Sequence, residues 1–318
     1  MFIIFIIFII MNYSDKKPKC IHKYLTKSYI EQKMTPGLGD FLRGTVSLFK
    51  LSEIYNYDVF IDKKSHIFFS FFEDDENYIN DGFINDVIDY SELKIDAIDY
   101  GKLNPKNLED LFKKQKNFSI YTNAFYTKNE KGQYVNFGKI PENIQNKLKN
   151  LLIPKKIVKD KLEYIFKNIY KINENEKFKI IHIRLGDNYL VNNKKNSNYD
   201  FLLKNILEHI LFIINNSYKY INYNNELVDY KYILITDTKE LAFDIVKSIP
   251  QILYWNNKKI HMGYSDNQNE ENILDTIIDF ITLSKSQEII GNNSGFSRSV
   301  SEIYNINYHH IFDIDYYN

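Results

Sequence analysis

The chain has a single cysteine, Cys20, among its 318 residues. No intrachain disulfide can form, which fits a reducing compartment. Net charge is missing as well, since 41 basic and 41 acidic residues cancel. No whole-molecule field steers the chain onto nucleic acid or an anionic membrane, so no nucleic-acid partner is expected. A local basic pocket stays open. A long apolar run is lacking at the start: MFIIFIIFII gives ten residues, where a spanning helix needs about 20. A signal peptide's basic n-region and small-residue cleavage site are lacking too. The positive charge follows instead, at Lys16, Lys17 and Lys19. Two readings stand: a dispensable extension with the start at Met11, or a weak anchor through which residues 1–11 touch a membrane. Asn292-Asn293-Ser294 is an N-x-S sequon. A glycan there would block a loop read below as part of the site, which favours the cytoplasm over a membrane-anchored or luminal protein.

What is present suffices for packed cores. Apolar residues make up 44% of the chain, and its length suits two domains. The enrichment in Asn, Ile, Lys, Tyr and Phe is a bias expected of AT-rich coding DNA, so the aromatic content is not read as function. Residues 1–27 read as an apolar start and a polar arm. Residues 28–153 form a first domain: a strand at 28–34, the loop TPGLGD, a helical stripe over 41–55, a strand YDVFI at 57–61, and a strand at 118–125. EDDEN, 73–77, reads as a solvated loop. Helices follow near 141–152 and 155–173, with Pro154 as a start signal.

Residues 154–318 alternate more cleanly. Strand 178–184 precedes a helix near 199–214, and KYILITD precedes the helix TKELAFDIVKSI. Short strands near 251–254 and 258–262 lead to a helix with Leu274, Ile277, Ile278 and Ile281 on one face. QEIIG, FSRSVSEIY and YHHIFDI then read as strand, helix and strand. Such alternation implies an α/β domain, a parallel sheet with helices on both faces. Open parallel sheets bind ligands outside the carboxyl ends of their strands. Three unusual segments fall at such ends: Arg184 to Asp187, Asp237 with Thr238, and Asn292 to Ser294.

Each motif has a functional and a plain explanation. In KIIHIRLGDNY, period-two alternation puts His182 and Arg184 on one strand face, roughly 7 Å apart. Arg184 could grip a phosphate in a bidentate manner, and His182 a base or ribose. Alternatively Arg184 pairs with an acid such as Asp187 and His182 is a satisfied core residue. GNNSGFSRS follows a strand and opens a helix, where free N–H groups with Ser and Asn side chains suit an anion. Plain N-capping by Ser294, which occurs without any ligand, is the more economical explanation of this motif alone. PGLGDFLRGT places Gly37 and Gly39 before a helix, either for close backbone approach to a ligand or for a tight turn. A dinucleotide fingerprint would need glycine at Leu42, with Asp62 as the ribose acid. His309 and His310 stand beside Asp313 and Asp315, but adjacent strand residues face opposite ways, so no metal site is expected.

Together these motifs resemble the GDP-fucose-dependent fucosyltransferases, the superfamily of α1,2-, α1,6- and protein O-fucosyltransferases. The carriers are Gly37-Leu38-Gly39-Asp40, His182-Ile183-Arg184-Leu185-Gly186-Asp187, Ile235-Thr236-Asp237 and Asn293-Ser294-Gly295-Phe296-Ser297. The match is good from about 178 to 304; earlier it rests on 36–50. The resemblance implies a GT-B fold, two Rossmann-like domains facing a cleft, with the nucleotide on the C-terminal one. It implies inverting transfer from GDP-fucose to a glycan, with no cofactor and no obligatory metal. It gives Arg184 the β-phosphate, His182 and the Asp237–Thr238 turn the guanosine, and Asn293, Ser294, Gly295 and Phe296 the pyrophosphate, with Gly37 and Gly39 at the donor. Asp187 and Asp40 are the candidate bases. The chain departs from the family at Leu185, where several relatives carry a second arginine, and at Gly295 and Arg298-Ser299. The first departure motivates an alternative, a non-catalytic nucleotide-sugar or glycan-binding relative. A dinucleotide oxidoreductase using PGLGD is the third.

Overall fold

The computed structural model describes residues 17–23, 37–65, 67–74, 105–120, 122, 139–185, 199–257, 269–292 and 294–312. These residues form two compact units. The first draws on Met1–Leu25, Phe41–His66 and Asp74–Gly138, the second on Thr26–Asp40, Ile67–Glu73 and Lys139–Asn318. Residues 139–153 thus group with the C-terminal unit, as do the described residues 37–40 of PGLGD.

The first unit contains a parallel sheet with strand order β2-β1-β3, formed by β1 (Lys19–His22), β2 (Asp58–Ile61) and β3 (Phe118–Ile120). The central strand lies inside the segment expected to be a polar arm, and that expectation is corrected. Only four residues pair, and the lysines around them hide the apolar pair Cys20-Ile21, which is 0% and 2% exposed. Burial pushes the Cys20 thiol up. Helix α1 (Leu38–Tyr55) buries Phe41, Leu42, Val46, Phe49 and Leu51. Helix α2 (Pro105–Lys113) was not anticipated. Its Phe112 meets Tyr57 and Phe118 edge-on at ring separations of 4.7 and 5.3 Å.

Two inward features tie α1 to this sheet. His22 stacks on Phe41 at 4.2 Å and lies 3.0 Å from Thr45 Oγ1 through Nδ1. Burial lowers its pKa to about 3. Gly44 has no room for a side chain, since a Cβ would stand 1.7 Å from the Thr122 carbonyl oxygen.

The second unit begins, after 37–40 and the turn Ile67–Phe71, with α3 (Glu142–Leu151) and α4 (Lys156–Tyr164). A π turn at Ile165–Tyr170 extends α4. Then come β4 (Phe178–Ile183), α5 (Tyr199–Asn216), the hairpin β5 (Tyr220–Ile221) and β6 (Leu227–Val228), β7 (Lys231–Thr236) and α6 (Lys239–Ser248). β8 (Ile252–Tyr254), α7 (Glu270–Ser284), β9 (Glu288–Gly291), α8 (Gly295–Tyr304) and β10 (Asn307–His310) complete it.

The main sheet is wholly parallel, with order β10-β9-β4-β7-β8. Counted within this unit the order is 3-2-1-4-5, the first five strands of the doubly wound Rossmann order. All six residues of β4 are buried, as expected for a central strand covered on both faces. On one face Ile181, Ile183, Leu234 and Ile290 pack with Ile206 and Ile210 of α5 and Leu241 and Ile245 of α6. Helix α7 was expected to bury one stripe. Instead most of it is buried, including Asp275 and Asp279. Asp275 is compensated by Lys161 of α4 at 2.5 Å.

The expected strands at 28–34 and 258–262, and the far end of the one at 118–125, lie outside the described residues, as do residues 75–77 of EDDEN. Residues 1–16 do as well. Among the described residues no helix is long and apolar enough to cross a membrane.

Candidate functional site

In a sheet of this order a crevice opens where neighbouring strands lead their connections to opposite faces. Here that point lies between β4 and β9, paired in register as Ile180↔Ile289, Ile181↔Ile290 and His182↔Gly291. The first residues beyond the two strands are Arg184 after β4 and Asn292 after β9.

Arg184 is held from both sides. Its N–H donates to Asn292 Oδ1 at 2.9 Å, and its carbonyl accepts from Asn292 Nδ2 at 2.8 Å. On the other flank the Leu185 N–H donates to Asp237 Oδ1 at 3.0 Å. The same carboxylate faces the guanidinium, with Arg184 Nε 3.8 Å from Asp237 Oδ2. That distance is an ion pair rather than a hydrogen bond. Thr238 Oγ1 also donates to Asp237 Oδ1, at 3.0 Å. The Arg184 side chain stays 28% exposed, so the cation faces outward while its backbone is fixed. Among the described residues Asp237 is an acid paired with it; Asp187 lies outside the described residues.

His182 shares the strand face of Arg184, as alternation requires, but points into the unit. It is 5% exposed, and its Nδ1 lies 2.8 Å from Ser297 Oγ in the first turn of α8. The imidazole thereby pins that turn over β4. Phe296 lies beside it, ring to ring at 6.0 Å.

Ser294 occupies the N-cap position of α8 yet makes no side-chain capping bond. Its hydroxyl is buried without a hydrogen-bond partner, and the residue is only 4% exposed. Plain N-capping therefore does not account for this serine. An unsatisfied buried hydroxyl is costly and calls for an explanation. A helix start, whose first N–H groups have no intrahelical partner, suits an anion. Gly295 adds open space, since a Cβ there would meet nothing within 4 Å. Asn293 lies outside the described residues.

The glycine loop makes close contacts within this unit. A Cβ on Gly39 would stand 2.7 Å from the Gly295 carbonyl carbon, and Ser299 Oγ donates to the Gly39 carbonyl at 3.2 Å. Gly39 thus allows the starts of α1 and α8 to touch backbone to backbone. Asp40 turns back on the loop: its Oδ2 accepts from the Gly37 N–H at 3.2 Å, and its own N–H donates to the Gly37 carbonyl at 3.1 Å. The glycine meant to approach a dinucleotide faces polypeptide. Asp62, the ribose acid of that alternative, accepts from Lys64 N–H at 3.1 Å and lies 3.8 Å from Lys23 Nζ.

Among the described residues no group of three His, Cys, Asp or Glu side chains could hold a metal. His309 Nε2 lies 3.6 Å from Glu288 Oε1, whereas His310 Nδ1 accepts from the Phe312 N–H.

Arg184, Asp237, Thr238, Ser294, Gly295 and Phe296 are therefore gathered at one sheet edge, with His182 beneath. Asn292 and Ser297 belong with them; the sequence motifs contain both, but give neither a role of its own. Asn292 was visible as part of a strand-end loop; its bonds depend on a register that no local pattern reveals.

No protein-family model matches the chain, and no curated protein sequence does. Solved structures do match. NodZ alpha-1,6-fucosyltransferase soaked with GDP-fucose superposes with a TM-score of 0.59 at 14% identity, covering 91% of this chain and 93% of that one. Fucosyltransferase NodZ from Bradyrhizobium gives 0.56 at 15% identity, over 90% and 92%. A mutant of Arabidopsis thaliana FUT1 in complex with GDP gives 0.51 at 10% identity, over 93% of this chain and 71% of that one. The edge that carries Arg184 and Ser294 thus stands on an α/β architecture of the GT-B type, the fold of these fucosyltransferases.

Proposed function

We propose that this chain is a glycosyltransferase that moves fucose from GDP-fucose to a glycan acceptor, with inversion at the sugar carbon. The observation that carries the reading is a cation and a helix start at the topological switch point: Arg184 beside α8, with the unpartnered buried hydroxyl of Ser294 at its cap. A diphosphate satisfies all three. Guanine and fucose come from the likeness to the family, and the structural neighbours bound to GDP or GDP-fucose support them.

In this reading Arg184 takes the β-phosphate. Ser294, Gly295, Phe296 and Asn293 take the pyrophosphate through hydroxyl, amide and N–H groups. Asp237 and Thr238 stand on the nucleoside side, His182 acts from beneath by holding the first turn of α8, and Gly37 and Gly39 shape the loop beside the donor. Cleaving the glycosidic bond builds negative charge on the leaving oxygen and oxocarbenium character on the sugar. A fixed cation and fixed N–H donors stabilise that charge without reorganising, and one lost donor of this kind costs about 100-fold or more. A carboxylate accepts the acceptor's proton, with Asp187 and Asp40 as candidates. No metal is assigned a step.

A second reading is a nucleotide-sugar-binding relative without turnover. Leu185 favours it. Where several relatives have a second arginine, this side chain packs against the apolar cluster of the sheet and adds no charge.

The test is a thermal shift with GDP, UDP and NAD at equal concentration, wild type beside Arg184→Ala, followed by turnover of GDP-fucose. A ligand at 100 times its Kd adds about 2.7 kcal/mol. The proposal expects a GDP shift that the variant loses, then transfer or donor hydrolysis. Binding without either supports the second reading. A shift with UDP alone removes guanosine, and a shift with NAD alone overturns the site.

A further inference from the structure

Arg184 sits one residue beyond the end of β4 (Phe178–Ile183). An arginine meant to meet a phosphate at a set position needs its main chain held there, because transition-state stabilisation falls steeply with misplacement. The side-chain amide of Asn292 grips that main chain. It bonds the N–H and the carbonyl of Arg184 together, at 2.9 and 2.8 Å, across 108 residues of sequence. Its carbonyl and its NH2 both have to be present, so asparagine satisfies the pair and aspartate does not. A carboxylate can accept from the Arg184 N–H but has nothing to donate to the Arg184 carbonyl, and would stand against it.

The consequence reaches the helix as well. Asn292 lies two residues before Ser294, the cap of α8. One side chain therefore fixes the distance between the residue that carries the cation and the loop that leads to the helix start. The two halves of the anion site come from strands far apart in sequence, and this amide joins them.

We infer that Asn292 is a positioning residue for the donor diphosphate, acting through Arg184 and touching no ligand itself. The inference rests on the nucleotide-sugar reading for its ligand but not for its geometry. Its test therefore has a bound and a ligand-free arm. In the bound arm, GDP and guanosine affinities are measured by calorimetry for wild type, Asn292→Ala, Asn292→Asp, Arg184→Ala and the double variant Arg184→Ala/Asn292→Ala. The expectation is a loss of GDP affinity of about tenfold or more in Asn292→Ala. Guanosine affinity should be unchanged, and the Arg184→Ala background should show no further loss. Asn292→Asp should not restore affinity. An equal loss in both backgrounds, or an equal loss for guanosine, overturns the inference, because Asn292 then acts independently of Arg184. No loss at all overturns it too.

The ligand-free arm measures hydrogen exchange at the Arg184 amide. Asn292→Ala should speed exchange there while the amides of Ile180 and Ile181 keep their protection, which also shows that the variant is folded. If wild type binds GDP no better than guanosine, the nucleotide-sugar reading fails, and this arm decides alone. Unchanged protection at Arg184 then overturns the positioning role, and lost protection upholds it.

Discussion

Gly39 and Gly295 meet backbone to backbone: a side-chain carbon on the first would stand 2.7 Å from the carbonyl carbon of the second. The two glycines have opposite tolerances. Gly39 is closed in by main chain, which cannot rotate away. Gly39→Ala should therefore push the starts of α1 and α8 apart and cost about 1–3 kcal/mol. Denaturant midpoints measure this; an unchanged midpoint would show that the two starts are not packed as described.

Gly295 faces open space and has no positive φ to defend. Gly295→Ala should leave stability unchanged or raise it by up to about 1 kcal/mol. If the helix start holds a diphosphate, the new methyl competes for that space and GDP binding weakens. The signature is a melting temperature that holds without ligand and a GDP shift that shrinks. A full GDP shift in the variant would take the diphosphate away from Gly295.

His22 makes stability depend on pH. Burial lowers its pKa to about 3 in the folded protein, against about 6.5 unfolded. Above pH 6.5 both states are neutral and nothing is lost. Below it the unfolded chain takes up a proton that the folded one refuses, so stability falls by about 1.4 kcal/mol per pH unit toward pH 3. His22→Gln, which keeps a polar side chain beside Thr45, should flatten this part of the profile. Urea melts between pH 7 and pH 4.5 measure the slope, and equal slopes would remove His22 as its source.

Lys179 and Glu288 form a buried pair at 2.7 Å, with side chains 9% and 11% exposed. Removing one partner strands the other charge. Lys179→Met should cost about 3–5 kcal/mol, while Lys179→Met/Glu288→Leu should recover much of that. The double-variant cycle is the readout; additive losses would mean the charges do not depend on each other.

The elements most legible in the sequence were those whose neighbours do not alter their pattern. β4 and β7 are buried on both faces and read as apolar runs. Ile206, Ile210 and Ile213 on α5 keep helical spacing. β1 was missed because four paired residues between lysines carry too little pattern. Helix α2 was missed in a stretch that offered no clear period. The hairpin Tyr220–Val228 is two residues deep on each side and exposes Ile221 and Leu227. At the site, Arg184, Asp237 and Ser294 could be found because strand ends are where such sheets bind ligands. What could not be read was which acid faces Arg184, or that Asn292 supports it. Both depend on strand order, and strand order is a property of the whole sheet.

That order also sets a sequence of events in time. β4, β7 and β8 follow one another along the chain and can pair as they are made. β9, which lies against the other side of β4, comes last but one. Long-range parallel pairing of this kind is slow, since its loop must close before any contact rewards it. On a ribosome, Arg184 emerges long before Asn292, and until then the strand that bears it has an open edge. The nascent chain gains Asp237 early and Asn292 late. The complete set of bonds around Arg184 is thus reserved for a chain that has been synthesised past Asn292 and has inserted β9 beside the first strand of its sheet.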